Sequence, residues 1–116
     1  MPTTADLSIR VTRTDDARVA RLHMSGELDM SNSAALGAEL RRAERRGASV
    51  VVLDLADLSF MDVSGLRAIL DAARRARREG RKLVVANPLP SIVRLFELTA
   101  IDQSVEVMAG PLAATY

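Results

Sequence analysis

Four consecutive residues, Asp62-Val63-Ser64-Gly65, place a carboxylate, a hydroxyl and a glycine between an apolar run and an apolar helical stripe. The run, Val50 to Leu53, reads as a short strand buried on both faces. The stripe, Leu66, Ile69, Leu70 and Ala73, has the three-and-four spacing of one helix face. The turn between them delivers Ser64 to the first turn of a helix, where free N–H groups and the positive end of the dipole favour an anion. A hydroxyl there has two uses. Either Ser64 or Asp62 caps the helix, worth about 1 kcal/mol, or Ser64 carries a phosphate without unfolding anything. Capping is the commoner use of such residues. Against it, Val63 leaves Ser64 as the only hydroxyl of the turn, and Arg67 stands where a capping box needs Glu or Gln. Gly65 is expected to leave the backbone beside the hydroxyl open to a partner or a kinase.

Other groups are weaker candidates. Gly26-Glu27-Leu28-Asp29 reads as a strand-to-helix turn, with Asp29 or Ser31 capping the helix that follows. It lies beside Ser64 if both loops leave the C-terminal edge of one parallel sheet. Between Arg67 and Lys82 there are seven basic and two acidic residues, which read as a solvated helix face with its cations towards the C-terminal end. Ser64, His23 and an aspartate form a hydrolase triad only on paper. No Gly-x-Ser-x-Gly elbow is present, and His23 alternates with Arg21 in a strand. Phosphate-binding loops of the Walker or dinucleotide type are missing too. The residues point to no catalytic, cofactor or metal site.

Composition narrows the class further. The chain has 116 residues, enough for one domain spanning 1–116 with an ordered core expected at about 6–108. Its 48% hydrophobic content is aliphatic, since Phe60, Phe96 and Tyr116 are the only aromatics. That leaves few platforms for stacking bases, and a net charge of +1 gives no general pull towards nucleic acid or an anionic membrane. With no cysteine and one histidine, disulfides, thiolate catalysis and multi-histidine metal sites are out. The N-terminal MPTTADLSIR lacks the apolar core of a signal peptide, and no run approaches the ~20 apolar residues of a membrane span. A cytoplasmic protein is expected. Only Lys82 of the 16 basic residues is lysine, a bias attributed to genome composition.

The elements that must position the turn follow from periodicity. Leu7, Ile9 and Val11 alternate with polar residues, and Arg18–Ser25 alternates likewise across a turn at Thr14-Asp15-Asp16, predicting a hairpin. A helix is expected over Ser33–Arg46, with Ala34, Leu36, Ala38 and Leu40 apolar and Gly47 ending it. Then come a strand at Val50–Leu55, a helix over Ser64–Glu79 closed by Gly80, and a strand at Leu83–Ala86. A third helix over Pro90–Leu98 turns Ile92, Val93, Leu95, Phe96 and Leu98 to the core, and Ser104–Met108 is a last strand. Val51, Leu53, Leu55, Leu66, Ile69, Leu70, Val84 and Phe96 are expected to be buried. The order β-β-α-β-α-β-α-β specifies an α/β domain with a mixed sheet of four or five strands and about three main helices.

Three blocks together resemble the STAS domain, specifically the anti-sigma factor antagonists. GELDMSNSAALGAEL (Gly26–Leu40) resembles the family's first turn and helix. LDLADLSFMDVSGLRAIL (Leu53–Leu70) resembles its phosphorylation segment, and NPLPSIVRLFELTAID (Asn87–Asp102) its third helix and the element after it. The resemblance covers essentially the whole domain and reverses the preference for a mere cap. It implies that Ser64 is the phosphorylated serine, and that Asp29, Met30, Ser31, Asp62, Val63, Ser64, Gly65 and Arg67 form the partner surface. Val63 replaces a hydroxyl common in the turn, and Ala100 stands where glycine is common. The partners implied are an anti-sigma factor of the GHKL serine kinase type and a PP2C-type phosphatase. No cofactor, no direct nucleic acid and no membrane are implied, and the chain is expected to be a monomer or weak dimer. A STAS signalling or scaffold module outside sigma regulation is the alternative, with a small hydrolase third.

Overall fold

The computed structural model describes residues 6–99, 105–114 and 116. In chain order it holds β1 (Ser8–Arg13), β2 (Val19–Leu28), α1 (Ser33–Arg45), β3 (Val50–Met61), α2 (Val63–Glu79), β4 (Lys82–Ala86), α3 (Pro90–Thr99) and β5 (Glu106–Met108), and then a 3-10 turn at Gly110–Ala114. The element order is the one expected. Ala100 and Ser104, on which the expectations for the end of the third helix and the start of the last strand fall, lie outside the described residues.

The five strands lie side by side in sequence order, β1-β2-β3-β4-β5. The first pair is antiparallel and the other three are parallel. Because the strand order never reverses, successive right-handed crossovers return on the same side. All three helices therefore cover one face, where Leu36 and Leu40 of α1, Leu66 and Ile69 of α2, and Ile92 and Phe96 of α3 pack on Leu22, Leu53, Leu55 and Val85. Among the described residues the opposite face has a small buried cluster, Val52, Val84, Ala86 and Ala113. Burial of both Val52 and its neighbours Val51 and Leu53 accounts for the unbroken apolar run.

Several expectations need correction. Residues Gly26 to Leu28 continue β2 instead of forming a turn, and β3 runs on from Leu55 to Met61. The two strands stay paired as far as Leu28↔Met61 only through register shifts at His23/Ser25 and Gly26/Glu27. These irregularities break the alternation that would have announced the longer strands. In α1 the buried residues are Leu36, Leu40 and Ala43, whereas Ala34 and Ala38 are exposed. Residues two apart on a helix sit about 200° apart, so neither alanine can share a face with the leucine between them. The same geometry leaves Leu98 78% exposed while Phe96 is buried. Leu70, at the margin of the α2 stripe, is half-buried. The other seven residues expected in the core are buried.

Candidate functional site

The end of β3 leads straight into α2, and Asp62 makes the junction. Its backbone is extended (φ −99°, ψ −172°), and its N–H donates to the Leu28 carbonyl at the end of β2, 3.1 Å away. One carboxylate oxygen, Oδ1, accepts from the N–H groups of Ser64 (2.8 Å) and Gly65 (3.3 Å). Asp62, not Ser64, thus caps the helix and satisfies two of its orphan donors. The other oxygen, Oδ2, accepts from the Met30 N–H at 3.2 Å. A single carboxylate therefore holds the start of α2 and the β2–α1 loop against each other. Ser64 occupies the second helical position, half-buried, and its hydroxyl makes no hydrogen bond among the described residues.

Gly65 has a different reason from the one expected. It is buried, and a Cβ built on it would lie 2.6 Å from Leu28 Cδ2 and 2.8 Å from Met61 Cγ. The glycine lets the first turn of α2 close onto the ends of β2 and β3, and does not open the backbone to solvent. That close approach is what brings Ser64 level with the neighbouring loop.

The neighbouring loop is braced by its own side chains. Asp29 Oδ1 accepts from both the N–H and the hydroxyl of Ser31. These donors, the hydroxyl foremost, hold the Asp29 carboxyl below its ordinary range. Asn32 accepts from the Asp29 N–H and donates to the Glu27 carbonyl, each at 2.9 Å. Asn32 rather than Asp29 or Ser31 stands at the helix cap, and it makes no side-chain capping bond. The Asp29 carbonyl instead accepts from the N–H groups of Asn32 and Ser33.

The structure brings Asp29, Met30, Ser31, Asp62, Val63, Ser64 and Gly65 to one sheet edge, and Arg67 lies exposed one turn further along α2. Met30 is 81% exposed, Val63 68% and Phe60 47%, an unusual display of apolar side chains in a small domain. Phe60 had no place in the sequence reading. The only hint was a phenylalanine two residues before the turn, and its outward direction became legible only once β3 was known to extend past it.

His23 belongs elsewhere. Leu22 and Met24 point to the helices, so His23 points to the far face of the sheet, 3.1 Å from Thr12 Oγ1 and 3.6 Å from Asp54 Oδ2. Burial, with the Arg10 charge, pushes its pKa below the usual value. None of its contacts is to Ser64, so the paper triad has no geometric basis. Asp54 is tied up by Arg21, which donates to it from Nε and Nη2 and to the Ala113 carbonyl from Nη1. Among the described residues no helix is long and apolar enough to cross a membrane, and no group of three metal-ligating side chains converges.

Comparison with known proteins identifies the family. The STAS domain family matches residues 8–115. The chain is 32% identical over 81 residues to the anti-sigma F factor antagonist of Paenibacillus polymyxa, covering 69% of each protein. It is 23% identical over 103 residues to the anti-sigma-B factor antagonist of Bacillus subtilis (strain 168), covering 89% of this chain and 94% of that one. Its fold matches the anti-sigma factor antagonist SpoIIAA in its unphosphorylated form with a TM-score of 0.70 at 20% identity, over 87% of this chain and 86% of SpoIIAA. SpoIIAA of Bacillus is also known in its phosphorylated form. The chain belongs to the STAS domain family and, within it, to the anti-sigma factor antagonists.

Proposed function

We propose that this chain works as a partner switch whose contact surface centres on Ser64. In the unphosphorylated state it binds an anti-sigma factor of the GHKL serine kinase type and so frees the sigma factor. That kinase transfers the γ-phosphate of ATP to Ser64 Oγ, which ends the contact, and a PP2C-type phosphatase restores the hydroxyl. The chain is then binder and substrate, with no catalysis of its own. The observation that carries this reading is the Ser64 hydroxyl, left without a hydrogen-bond partner among the described residues because Asp62 performs the capping.

The electrostatics fit a switch that acts through the surface. A phosphate adds about −1.5 to −2 charge at neutral pH. At the second residue of α2 the helix dipole favours that charge, so the fold tolerates it. At a packed interface, beside the carboxylates of Asp62 and Asp29 and among Met30 and Val63, the same charge is desolvated and repelled at several kcal/mol. Incubation with the cognate kinase and ATP, read by mass spectrometry, tests the reading. One phosphate is expected, assigned by fragmentation to Ser64 within the tryptic peptide 47–67, which also holds Ser49 and Ser59. Phosphate on Ser59 instead, or capture only of partners unrelated to sigma regulation, would overturn it.

A further inference from the structure

At the other end of α2 lies a strongly basic surface that the Ser64 site does not use. Residues 33–46 and 63–79, which contain the two packed helices, hold nine arginines against four carboxylates, a net of +5. The rest of the chain, with seven basic and eleven acidic residues, is −4. A nearly neutral protein is therefore strongly polarised, with its positive charge on the helix layer.

Apart from the exposed Asp71, the carboxylates within this surface are already engaged. Glu44 of α1 receives a two-pronged bond from Arg75 of α2 (2.9 and 3.0 Å) and lies 3.4 Å from Arg81. Arg81 also pairs with Glu79 at 2.6 Å. These pairs floor two open grooves of about 360 Å³ each, which share Arg41. Arg45 lines one groove, Arg74 and Arg78 the other. These four rim guanidiniums are exposed and make no ion pair among the described residues. Arg41 and Arg45, and again Arg74 and Arg78, stand four apart on their helices. Like charges at that spacing repel, so an anion seated between them relieves the repulsion.

We infer that this α1–α2 face is a docking surface for an acidic protein segment, a short run of Asp or Glu side chains. Guanidinium forks match carboxylates in a two-pronged geometry, and every rim cation is arginine. The exposed Asp71 carboxylate breaks the continuity that a phosphate backbone needs, and the grooves contain no aromatic side chain. They also lack the apolar side chains that insert into a lipid interface. From Ser64 to Arg74 and Arg78 the helix rises about 15–20 Å, beyond one Debye length at physiological salt. An acidic segment can thus be held whether or not Ser64 carries a phosphate.

Fluorescence anisotropy of a labelled polyglutamate peptide titrated with the full chain tests this. Saturable binding is expected, weakening at least tenfold as salt rises from about 20 to about 200 mM. Arg41→Ala, Arg74→Ala and Arg78→Ala combined are expected to weaken it at least tenfold, with an unchanged melt since all three side chains are exposed. Ser64→Asp is expected to bind as wild type, which separates this result from the fate of the Ser64 switch. Absence of saturable binding, or equal affinity in the triple variant, would overturn the inference. So would tighter binding of a duplex DNA oligonucleotide or of phosphatidylserine-containing vesicles, if the triple variant abolished it.

Discussion

Asp62 makes three hydrogen bonds with two oxygens, and replacing it with alanine or asparagine separates them. Asp62→Ala removes everything. The lost cap costs about 1–2 kcal/mol, and the exposed bond to the Met30 N–H adds about 0.5–1 kcal/mol. The total is about 1.5–3 kcal/mol, a drop in Tm of roughly 5–12 °C for a domain of this size. Asp62→Asn is different. Its amide oxygen takes over Oδ1 and still accepts from Ser64 and Gly65, because asparagine caps as well as aspartate. Its NH₂ replaces Oδ2 and faces the Met30 N–H, donor against donor. With the loss of a favourable charge at the positive helix end, the cost stays near 1–1.5 kcal/mol. Thermal melts and amide hydrogen exchange of the two variants provide the assay. The asparagine variant is expected to lose protection at the Met30 amide and keep it at Gly65, and the alanine variant to lose both. If Asn lowers Tm as far as Ala does, or if the Met30 amide stays protected, the double role assigned to Asp62 is wrong.

Three further outcomes follow from the packing and the charges. Gly65→Ala drives a Cβ into Leu28 and Met61 at 2.6–2.8 Å, and the overpacking is expected to destabilise by about 1–3 kcal/mol against the opposite helix-propensity effect, read as a lower Tm. Phe96→Ala empties the largest fully buried side chain and is expected to cost about 3–5 kcal/mol, read from the urea midpoint; an unchanged midpoint would remove Phe96 from the core. For Asp54, burial raises the carboxyl pKa, but the Ala56 N–H and Arg21 outweigh it and hold the group below its ordinary value. The stabilisation from a depressed folded pKa is fully present above the unfolded value near 4 and is lost as pH falls from there through the folded value. Melts between pH 6 and 3 are expected to fall less steeply for Asp54→Asn than for wild type, and identical slopes would contradict the pairing.

Much of this architecture is legible in the sequence because burial enforces periodicity. The α2 stripe and the run from Val50 to Leu53 can be placed from their spacing, and Gly47 and Gly80, both at positive φ, mark where helices stop. What escapes the sequence is what depends on two chain segments meeting. Register shifts hide the second halves of β2 and β3, so Gly26–Leu28 resembles a turn. Gly65 looks like an opening for a partner until Leu28 and Met61 are seen to fill the space beside it. The choice of Asp62 over Ser64 as the cap is within reach of local rules, but its bond to Met30, 32 residues away, is not. Leu98 shows a related limit: it is assigned to the core with the rest of the third helix's apolar residues, whereas α3 turns it outwards. Asp62 could be named in advance with the other proposed site residues, but the bond from its Oδ2 to the Met30 N–H, which joins the two loops, could not.

The central claim is that a negative charge at Ser64 abolishes partner binding without disturbing the fold. Calorimetric titration of the cognate anti-sigma factor with wild type, Ser64→Ala and Ser64→Asp tests it most directly, with a melt of each protein as the folding control. Ser64→Ala is expected to bind as wild type does. Ser64→Asp is expected to bind at least tenfold more weakly, about 1.4 kcal/mol, while melting within a few degrees of wild type. Equal affinity of wild type and Ser64→Asp would contradict the account.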